Sequence, residues 1–176
     1  MSLRLCATLN ELCDGWKPFS ATWRFAFVHT NWLVSNRRGV NYDMNETHVK
    51  VRFCETDALG HINNTSYFIY LEEARVRLIE ALGYGMDAQT WKFILASTKC
   101  DFINQAYFNQ HLLVQTFVTK IGTKSFHLEH DMICTDTGKL IAKGYEVMVY
   151  FDFEQQESKA IPEQVQEGLK GFLLQK

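Results

Sequence analysis

The sequence predicts an α+β fold in which one long helix is enclosed by a strongly bent antiparallel sheet. Two observations lead to this prediction. Between about residues 54 and 67 the hydrophobic pattern changes from the alternation of a strand to the spacing of a helix. From residue 92 onward the chain reads as a series of long strands. Wrapping the sheet around the helix is the economical way to bury the apolar faces of both.

The first predicted strand runs from about residue 46 to residue 54 and leads into a polar loop. Apolar and polar side chains alternate in it, as in a strand with one buried face: Val49, Val51 and Phe53 against His48, Lys50 and Arg52. The loop that follows carries an acid, a glycine, an imidazole and two amides, at Asp57, Gly60, His61, Asn63 and Asn64. It ends where the long helix is predicted to begin.

The long helix is predicted from about Asn64 to Leu82. Asn63 and the residues directly after it can cap the free N–H groups of its first turn. At about 100° per residue, large apolar side chains fall on one stripe, which comprises Tyr67, Leu71, Ala74, Leu78 and Leu82. The first two turns are apolar nearly all round and are expected to be enclosed, while Glu72 and Arg75 are spaced to pair. Gly83 ends the helix.

Four further strands and a short second helix are predicted after residue 92. The strands cover residues 93–103, 111–121, 125–135 and 139–153, and the helix covers residues 163–174. Residues 122–124 and 136–138 have the composition of hairpin turns. Strands of this length leave edges that pairing with a second copy of the chain would cover, so a dimer is a reasonable expectation.

Composition and charge narrow the functional classes. With 176 residues, 47% of them hydrophobic, the chain can form one globular domain with a sizeable core. A net charge of −2 without a basic run gives no general affinity for nucleic acid. The five cysteines form no C-x-x-C pair and the histidines are scattered, which predicts a cytoplasmic protein with reduced thiols and no metal site. No run of 18 apolar residues is present to span a membrane.

Residues 1–43 are predicted to be an N-terminal extension, with the compact domain at residues 44–176. The extension holds three of the four tryptophans, and its basic residues outnumber its acidic ones. Its apolar part is interrupted by Arg24, His29 and Asn31, which argues against a signal-peptide core. Two interpretations stay open: an appendage outside the domain, an organelle-targeting peptide among them, and an extra helix or strand that packs on the domain.

The polar loop carries the residues of chemical interest because it lies at a helix start. The first N–H groups of a helix are unpaired and carry partial positive charge, which stabilises developing negative charge. In one interpretation Asp57 is an ordinary acid at a helix start. In the other it is a base or a nucleophile beside an oxyanion site. The residues alone leave both interpretations open.

The segment VRFCETDALGHINN at residues 51–64, followed by Tyr67 and by LEEAR at residues 71–75, resembles the hotdog-fold acyl-CoA thioesterases of the 4-hydroxybenzoyl-CoA thioesterase-like family. The resemblance extends over about residues 46–162. It implies the hotdog fold, a long central helix wrapped by a five-stranded antiparallel sheet, and dimers that in many members pair into tetramers. It also implies active sites at the dimer interface and an acyl-CoA substrate, without a cofactor.

The resemblance assigns roles to individual residues. The catalytic acid falls on Asp57. The amide that polarises the thioester carbonyl falls on the backbone N–H of Asn64, with Gly60 allowing the close turn between the two. Gly122 and Ser125 fit the turn that contacts the pantetheine arm of the coenzyme in relatives.

Three more residues of the motif are candidates, two of them with two interpretations each. His61 orients substrate or water, or holds the loop by a local hydrogen bond. Asn63 caps the helix or faces the acyl group, and Tyr67 packs in the core with its hydroxyl lining the pocket. The chain departs from the family pattern before its third strand, where Asn109 and Gln110 replace the Gly-Asp pair common in relatives.

Two other functional classes stay open beside the thioesterase. A hotdog hydratase or dehydratase would use Asp57 with His61, but these are four positions apart, one short of the hydratase loop, and Leu59 stands where that loop carries asparagine. A non-catalytic acyl-binding module would leave Asp57 without a chemical role. For a thioesterase, the sequence leaves open the acyl group, the choice of CoA or carrier-protein thioester, and whether Asp57 acts as nucleophile or base.

Overall fold

The computed structural model describes residues 45–85, 87 and 90–174. Its elements in chain order are β1 (Asn45–Lys50), a 3₁₀ turn (Phe53–Glu55), α1 (Asn64–Ala81), β2 (Phe93–Phe102), β3 (His111–Ile121), β4 (Ser125–Cys134), β5 (Leu140–Asp152), β6 (Glu157–Ser158) and α2 (Glu163–Gly171). The predicted extension at residues 1–43 and the domain boundary at Met44 lie outside the described residues and stay predictions.

The five long strands form one antiparallel sheet in the order β1-β3-β4-β5-β2, and the short β6 pairs with β5. The two predicted hairpin turns join β3 to β4 and β4 to β5. In the second of them Gly138 has a φ of 68°, a left-handed conformation that glycine adopts without strain. The predicted fold, a long helix against a five-stranded antiparallel sheet, is confirmed. In the described part of the chain, no helix is long and apolar enough to cross a membrane.

Helix α1 has local signals at both ends. The side chain of Asn63 accepts a hydrogen bond from the Thr65 N–H at 3.1 Å, so Asn63 is the N-cap, as predicted. At the other end Gly83 has a φ of 88°, and the N–H groups of Gly83 and Tyr84 donate to carbonyls of the last turn at 2.9 and 3.2 Å. This is a Schellman motif, in which glycine supplies the left-handed residue.

The buried face of α1 packs against the sheet. The predicted apolar stripe is buried at Tyr67, Leu71, Ala74 and Leu78. Leu82 packs at the edge of a second apolar cluster, which comprises Leu78, Ile79, Phe93, Val118, Phe126, Leu128, Met148, Ile161, Val165 and Leu169. Gly144 in β5 allows the helix to approach closely, since a Cβ at that position would overlap the Leu71 side chain. Burial of apolar surface stabilises a fold by about 25 cal/mol per Å² removed from water, so this contact contributes to the stability of the domain.

The prediction for the end of the first strand is wrong. The strand ends at residue 50, and the chain then forms the 3₁₀ turn. Arg52 and Glu55 hold this turn: the Arg52 N–H and guanidinium donate to the Glu55 carboxylate, and the Glu55 N–H donates to the Arg52 carbonyl at 3.1 Å. Phe53, expected on the buried face, is consequently 79% exposed.

Three smaller predictions about the helices and strands also differ from the structure. The first two turns of α1 are not enclosed in the single chain, because the sheet covers one side only and Ile69 on the other side is 51% exposed. Helix α2 ends at Gly171, three residues before the predicted end at residue 174. The two-residue strand β6 is too short to leave a hydrophobic pattern and was not expected.

A polar network lies in the core between α1 and the sheet. The Arg75 Nη1 donates to Glu146 Oε1 at 2.6 Å, and neither side chain is more than 10% exposed. The Thr98 hydroxyl donates to the same oxygen at 3.3 Å, and His130 Nε2 lies 3.4 Å from the other Glu146 oxygen. The predicted pair of Arg75 with Glu72 is present only as a longer contact of 3.8 Å. Glu146 is therefore the main partner of Arg75 and joins the helix to the sheet.

Candidate functional site

A cavity of about 500 Å³ opens at the N-terminal end of α1. It lies between the polar loop, the first turn of the helix and the chain that follows β2. Its lining consists of Asp57, His61, Ile62, Asn63, Asn64, Tyr67 and residues 102–105. Five of the predicted site residues therefore meet at one place: Asp57, His61, Asn63, Asn64 and Tyr67.

Asp57 is held by the main chain of its own loop. Its Oδ1 accepts hydrogen bonds from the N–H groups of Leu59 at 2.8 Å and His61 at 3.1 Å. Gly60, at a φ of 78°, closes the turn with its N–H on the Asp57 carbonyl at 3.1 Å. Among the described residues the other carboxylate oxygen, Oδ2, has no partner. One oxygen thus holds the side chain to its own loop, and the other is left without a protein partner in the described part of the chain.

Asn64 is the first residue of α1, and its N–H has no acceptor in the part of the chain that the structure describes. The next two N–H groups are occupied, because those of Thr65 and Ser66 donate to the side chain and the carbonyl of Asn63. The free N–H of Asn64 lies where the helix dipole adds partial positive charge. Asp57 and Asn64 both line the same cavity.

His61 and Tyr67 present aromatic rings at the cavity. The His61 imidazole packs against the Tyr107 ring at 5.2 Å between centroids, and its nitrogens form no hydrogen bond within the described residues. The expected local hydrogen bond of this residue is made by its backbone N–H, on Asp57. Tyr67 is buried and packs edge-on against Phe102 at 4.9 Å. Burial raises the pKa of Tyr67 to about 12, so its hydroxyl stays protonated.

Behind the loop lies a buried carboxylate to which the sequence analysis assigned no role. Glu55 Oε2 accepts from the Tyr70 hydroxyl at 2.8 Å and from the Arg52 N–H at 2.7 Å, and Oε1 accepts from the Arg52 guanidinium at 2.8 Å. The Arg-x-x-Glu spacing resembles a capping box and was the available sequence signal. The partner in α1, Tyr70, is 15 residues away and carries no such signal.

The Glu55 contacts make part of the stability depend on pH. Burial raises the pKa of this carboxyl, but hydrogen bonds from Arg52 and Tyr70 outweigh burial and hold the pKa below its ordinary value of 4.5. Because the pKa is lower in the folded state, the ionised carboxylate stabilises the fold above about pH 4.5, and this contribution is lost as the pH falls through the folded-state pKa.

We expect wild type to melt at a higher temperature than Glu55→Gln. The difference should have its largest value at neutral pH and decrease below about pH 4.5. The measurement is thermal unfolding of both proteins over a series of pH values from about 7 to about 3.5. The two proteins share all other titratable groups, so the difference between their melting temperatures reports the contribution of Glu55. A difference that stays constant over the whole series would contradict the assignment.

Gly122 and Ser125 do not lie at the cavity. They form the turn between β3 and β4, where the Gly122 N–H donates to the Ser125 carbonyl at 2.8 Å. The lining segment at residues 102–105 precedes β3, whereas the turn follows it. An 11-residue strand at roughly 3.3 Å per residue separates the two by about 35 Å along the chain. A single chain therefore does not bring these two residues to Asp57.

Residues that could hold a metal are also not grouped at the cavity. Across residues 45–85, 87 and 90–174, no three His, Cys, Asp or Glu side chains cluster as metal ligands. The cavity instead offers one carboxylate, one unpaired backbone N–H, one imidazole and several amides. These groups suit a reaction at a polarised carbonyl, with charge stabilised by the protein itself.

Comparison with known proteins gives three sequence matches. The family model described as the thioesterase-like superfamily matches residues 51–169. YsmA, an uncharacterized protein of Bacillus subtilis (strain 168), is 33% identical over 82 residues, which are 47% of this chain and 56% of YsmA. The match thus spans about half the length of that relative. FadM, a long-chain acyl-CoA thioesterase of Escherichia coli (strain K12), is 24% identical over 127 residues, or 71% of this chain and 96% of FadM.

A solved structure also matches the chain. It is a thioesterase of Thermus thermophilus complexed with coenzyme A and zinc. The two structures agree with a TM-score of 0.66 at 25% identity, over 74% of this chain and 99% of that one. The match covers nearly all of the other protein, so the similarity extends over its architecture and not only over a local motif.

Proposed function

Because the chain belongs to the thioesterase-like superfamily, we propose that it hydrolyses the thioester bond of an acyl-CoA to a free acid and CoA. The observation that carries this proposal is the cavity lined by both Asp57 and Asn64, whose N–H has no acceptor among the described residues. A carboxylate and a fixed oxyanion donor at one site are what thioester hydrolysis needs.

In the proposed reaction the thioester carbonyl docks against the N–H of Asn64. The helix holds this donor in place before the reaction, and the positive end of the helix dipole adds to its effect as negative charge develops on the carbonyl oxygen. Loss of one such donor typically costs about 10²–10³ in rate. Gly60 supports the arrangement because its left-handed conformation closes the loop that carries Asp57.

Asp57 supplies the second half of the reaction through its free Oδ2. As a base, it takes a proton from water while the water oxygen bonds to the carbonyl carbon, and the C–S bond then breaks to release CoA as the thiolate. As a nucleophile, it forms the mixed anhydride directly and expels the thiolate, and water then hydrolyses the anhydride. Both routes use the same carboxylate and the same oxyanion site.

The remaining predicted residues take supporting roles. His61 has free ring nitrogens at the cavity and is placed to orient water or substrate. Tyr67 offers a protonated hydroxyl on the lining, and Asn63 acts as the N-cap that shapes the helix start. Gly122 and Ser125 lie away from the cavity of their own chain, so we propose that they complete the site of a second copy in a homodimer, with pairing of dimers into tetramers as a further step.

The acyl-CoA class and the cellular location are supported by separate observations. FadM acts on long-chain acyl-CoA and the Thermus thermophilus protein binds coenzyme A, and both align over most of this chain. Cys54, Cys100 and Cys134 are free thiols, which fits the reducing cytoplasm. Acyl-CoA in the cytoplasm is therefore the proposed setting.

The proposed function is tested by a panel of acyl-CoA substrates with aliphatic and aromatic acyl groups, assayed for released thiol with a coloured reagent. We expect release of one CoA for each acid formed. Addition of water to an enoyl-CoA without release of thiol would favour a hydratase instead. Binding of acyl-CoA without either reaction would favour the non-catalytic module, and both results would overturn the proposal.

A further inference from the structure

Glu55 connects the loop that carries Asp57 to the start of α1. Its backbone carbonyl accepts hydrogen bonds from the Asn63 N–H at 2.8 Å and from the Ser66 hydroxyl at 3.0 Å. Its carboxylate accepts from the Tyr70 hydroxyl at 2.8 Å, one helical turn further on. Glu55, which lies two positions before Asp57, thus accepts hydrogen bonds from three residues at the helix start: Asn63, Ser66 and Tyr70.

These contacts are shielded from water, so they are stronger than contacts at the surface. Three of the residues that form them are buried, with at most 5% of their surface exposed: Glu55, Ser66 and Tyr70. Burial, together with the hydrogen bond to Glu55, raises the pKa of Tyr70, so that its hydroxyl is a permanent donor. Arg52 completes the coordination of the carboxylate from the other side. A charge-assisted bond of this kind is about twice as strong as one between neutral groups.

The loop beyond Glu55 is rigid within itself. The Asp57 carboxylate is bonded to its own loop, and the Asp57 N–H donates to the His61 carbonyl at 2.8 Å. The geometry that remains to be set is the position of this closed loop relative to the N–H of Asn64. The bonds of Glu55 to α1 contribute to setting it, together with the Ile62 N–H, which donates to the Ala106 carbonyl at 3.0 Å.

We propose that Glu55, through Tyr70, is a positioning residue that fixes the Asp57 carboxylate relative to the oxyanion site at the start of α1. The proposal rests on the proposed thioester hydrolysis and adds to it a residue that touches no substrate. Its carboxylate points to the core side of the loop, away from the cavity, whose lining does not include Glu55 or Tyr70. Its effect on the reaction is therefore exerted through the placement of Asp57.

Rates of this kind of reaction depend steeply on geometry, since a displacement of about 1 Å can cost roughly 10²-fold. The backbone bonds of Glu55 remain when only a side chain is changed, so the displacement in a variant is smaller than that. We expect Tyr70→Phe and Glu55→Gln each to lower kcat about tenfold and to leave KM within about twofold of wild type. Tyr70→Phe removes one hydroxyl and retains the ring in the core.

The test is steady-state hydrolysis of the best substrate of the panel by the full chain, with Val165→Ala as the control. Val165 lies in α2, is buried in the second apolar cluster and does not line the cavity. Its truncation is expected to lower Tm while kcat stays at the wild-type value. If Glu55→Gln does not fold, Tyr70→Phe carries the test alone. Wild-type kcat in Tyr70→Phe, or a change in KM alone, would overturn the proposal.

A double-mutant cycle separates positioning from a general loss of folded protein. If Tyr70→Phe acts through Asp57, its tenfold effect should fall below about twofold when Asp57 is already asparagine. The same tenfold loss in that background would overturn the proposal. Absence of thiol release by the wild type, or full activity of Asp57→Asn, would instead overturn the proposed function. The two failures are therefore distinguishable.

Discussion

Replacement of Asp57 by asparagine is expected to lower kcat at least about 10²-fold and to leave the fold intact. The amide oxygen can still accept the N–H bonds of Leu59 and His61, so the loop keeps its shape. The amide nitrogen, however, can neither take a proton from water nor attack a carbonyl. The measurement is kcat for thiol release, together with the melting temperature as a check of folding.

Asp152→Asn is the matched control for this prediction. Asp152 also accepts two N–H bonds within its own turn, from Glu154 at 2.9 Å and from Gln155 at 3.0 Å. It does not line the cavity, so its replacement makes the same chemical change in a similar local setting away from the proposed chemistry. We expect wild-type kcat for this variant. Wild-type turnover by Asp57→Asn would remove Asp57 from the reaction.

The largest loss of stability is expected from Arg75→Met, at about 3 kcal/mol of the free energy of unfolding. The variant leaves the Glu146 carboxylate buried without its cation, with the Thr98 hydroxyl and the His130 ring as its neighbours among the described residues. Removal of one partner from a buried ion pair is costly because the remaining charge cannot be solvated. The measurement is denaturant unfolding at a fixed protein concentration.

Arg77→Met provides the comparison on the same helix. The Arg77 side chain is 56% exposed and pairs at the surface with Glu80 at 3.0 Å. Its loss should cost less than about 1 kcal/mol, because water replaces the surface partner. Equal losses for the two variants would mean that the contact of Arg75 with Glu146 adds little to stability. They would also favour the surface pair of Arg75 with Glu72, which the spacing of these residues predicted.

Much of the fold was predictable because local patterns determine it. The stripe from Tyr67 to Leu78 has the period of a helix packed on one side, and the caps at Asn63 and Gly83 mark its ends. The four later strands begin and end within about one residue of their predicted limits, and hairpin turns separate the last three of them. The prediction failed at Phe53, where the alternation continues although the chain already turns.

The candidate site was predictable only in part. The loop motif brings five residues to one cavity because they are neighbours in sequence on both sides of a helix start. The partners that hold this arrangement are far away in the chain: Glu146 is 71 residues from Arg75, and Tyr70 is 15 residues from Glu55. Contacts over such distances leave no periodic signal. The fold, and not the local pattern, creates them.

The hydrogen bonds that orient Asp57 come from the main chain, and this has a consequence for the diversification of the protein. Ala58 and Leu59 form the tip of the loop, where the Leu59 backbone N–H donates to Asp57. Both side chains are exposed, so they are not part of the packing that supports the loop. Substitutions at these two positions, by mutational drift or in a directed-evolution library, are therefore expected to change the exposed surface of the loop while the main-chain hydrogen bonds to Asp57 are kept. The loop can thus vary in sequence at its tip without losing the orientation of its carboxylate.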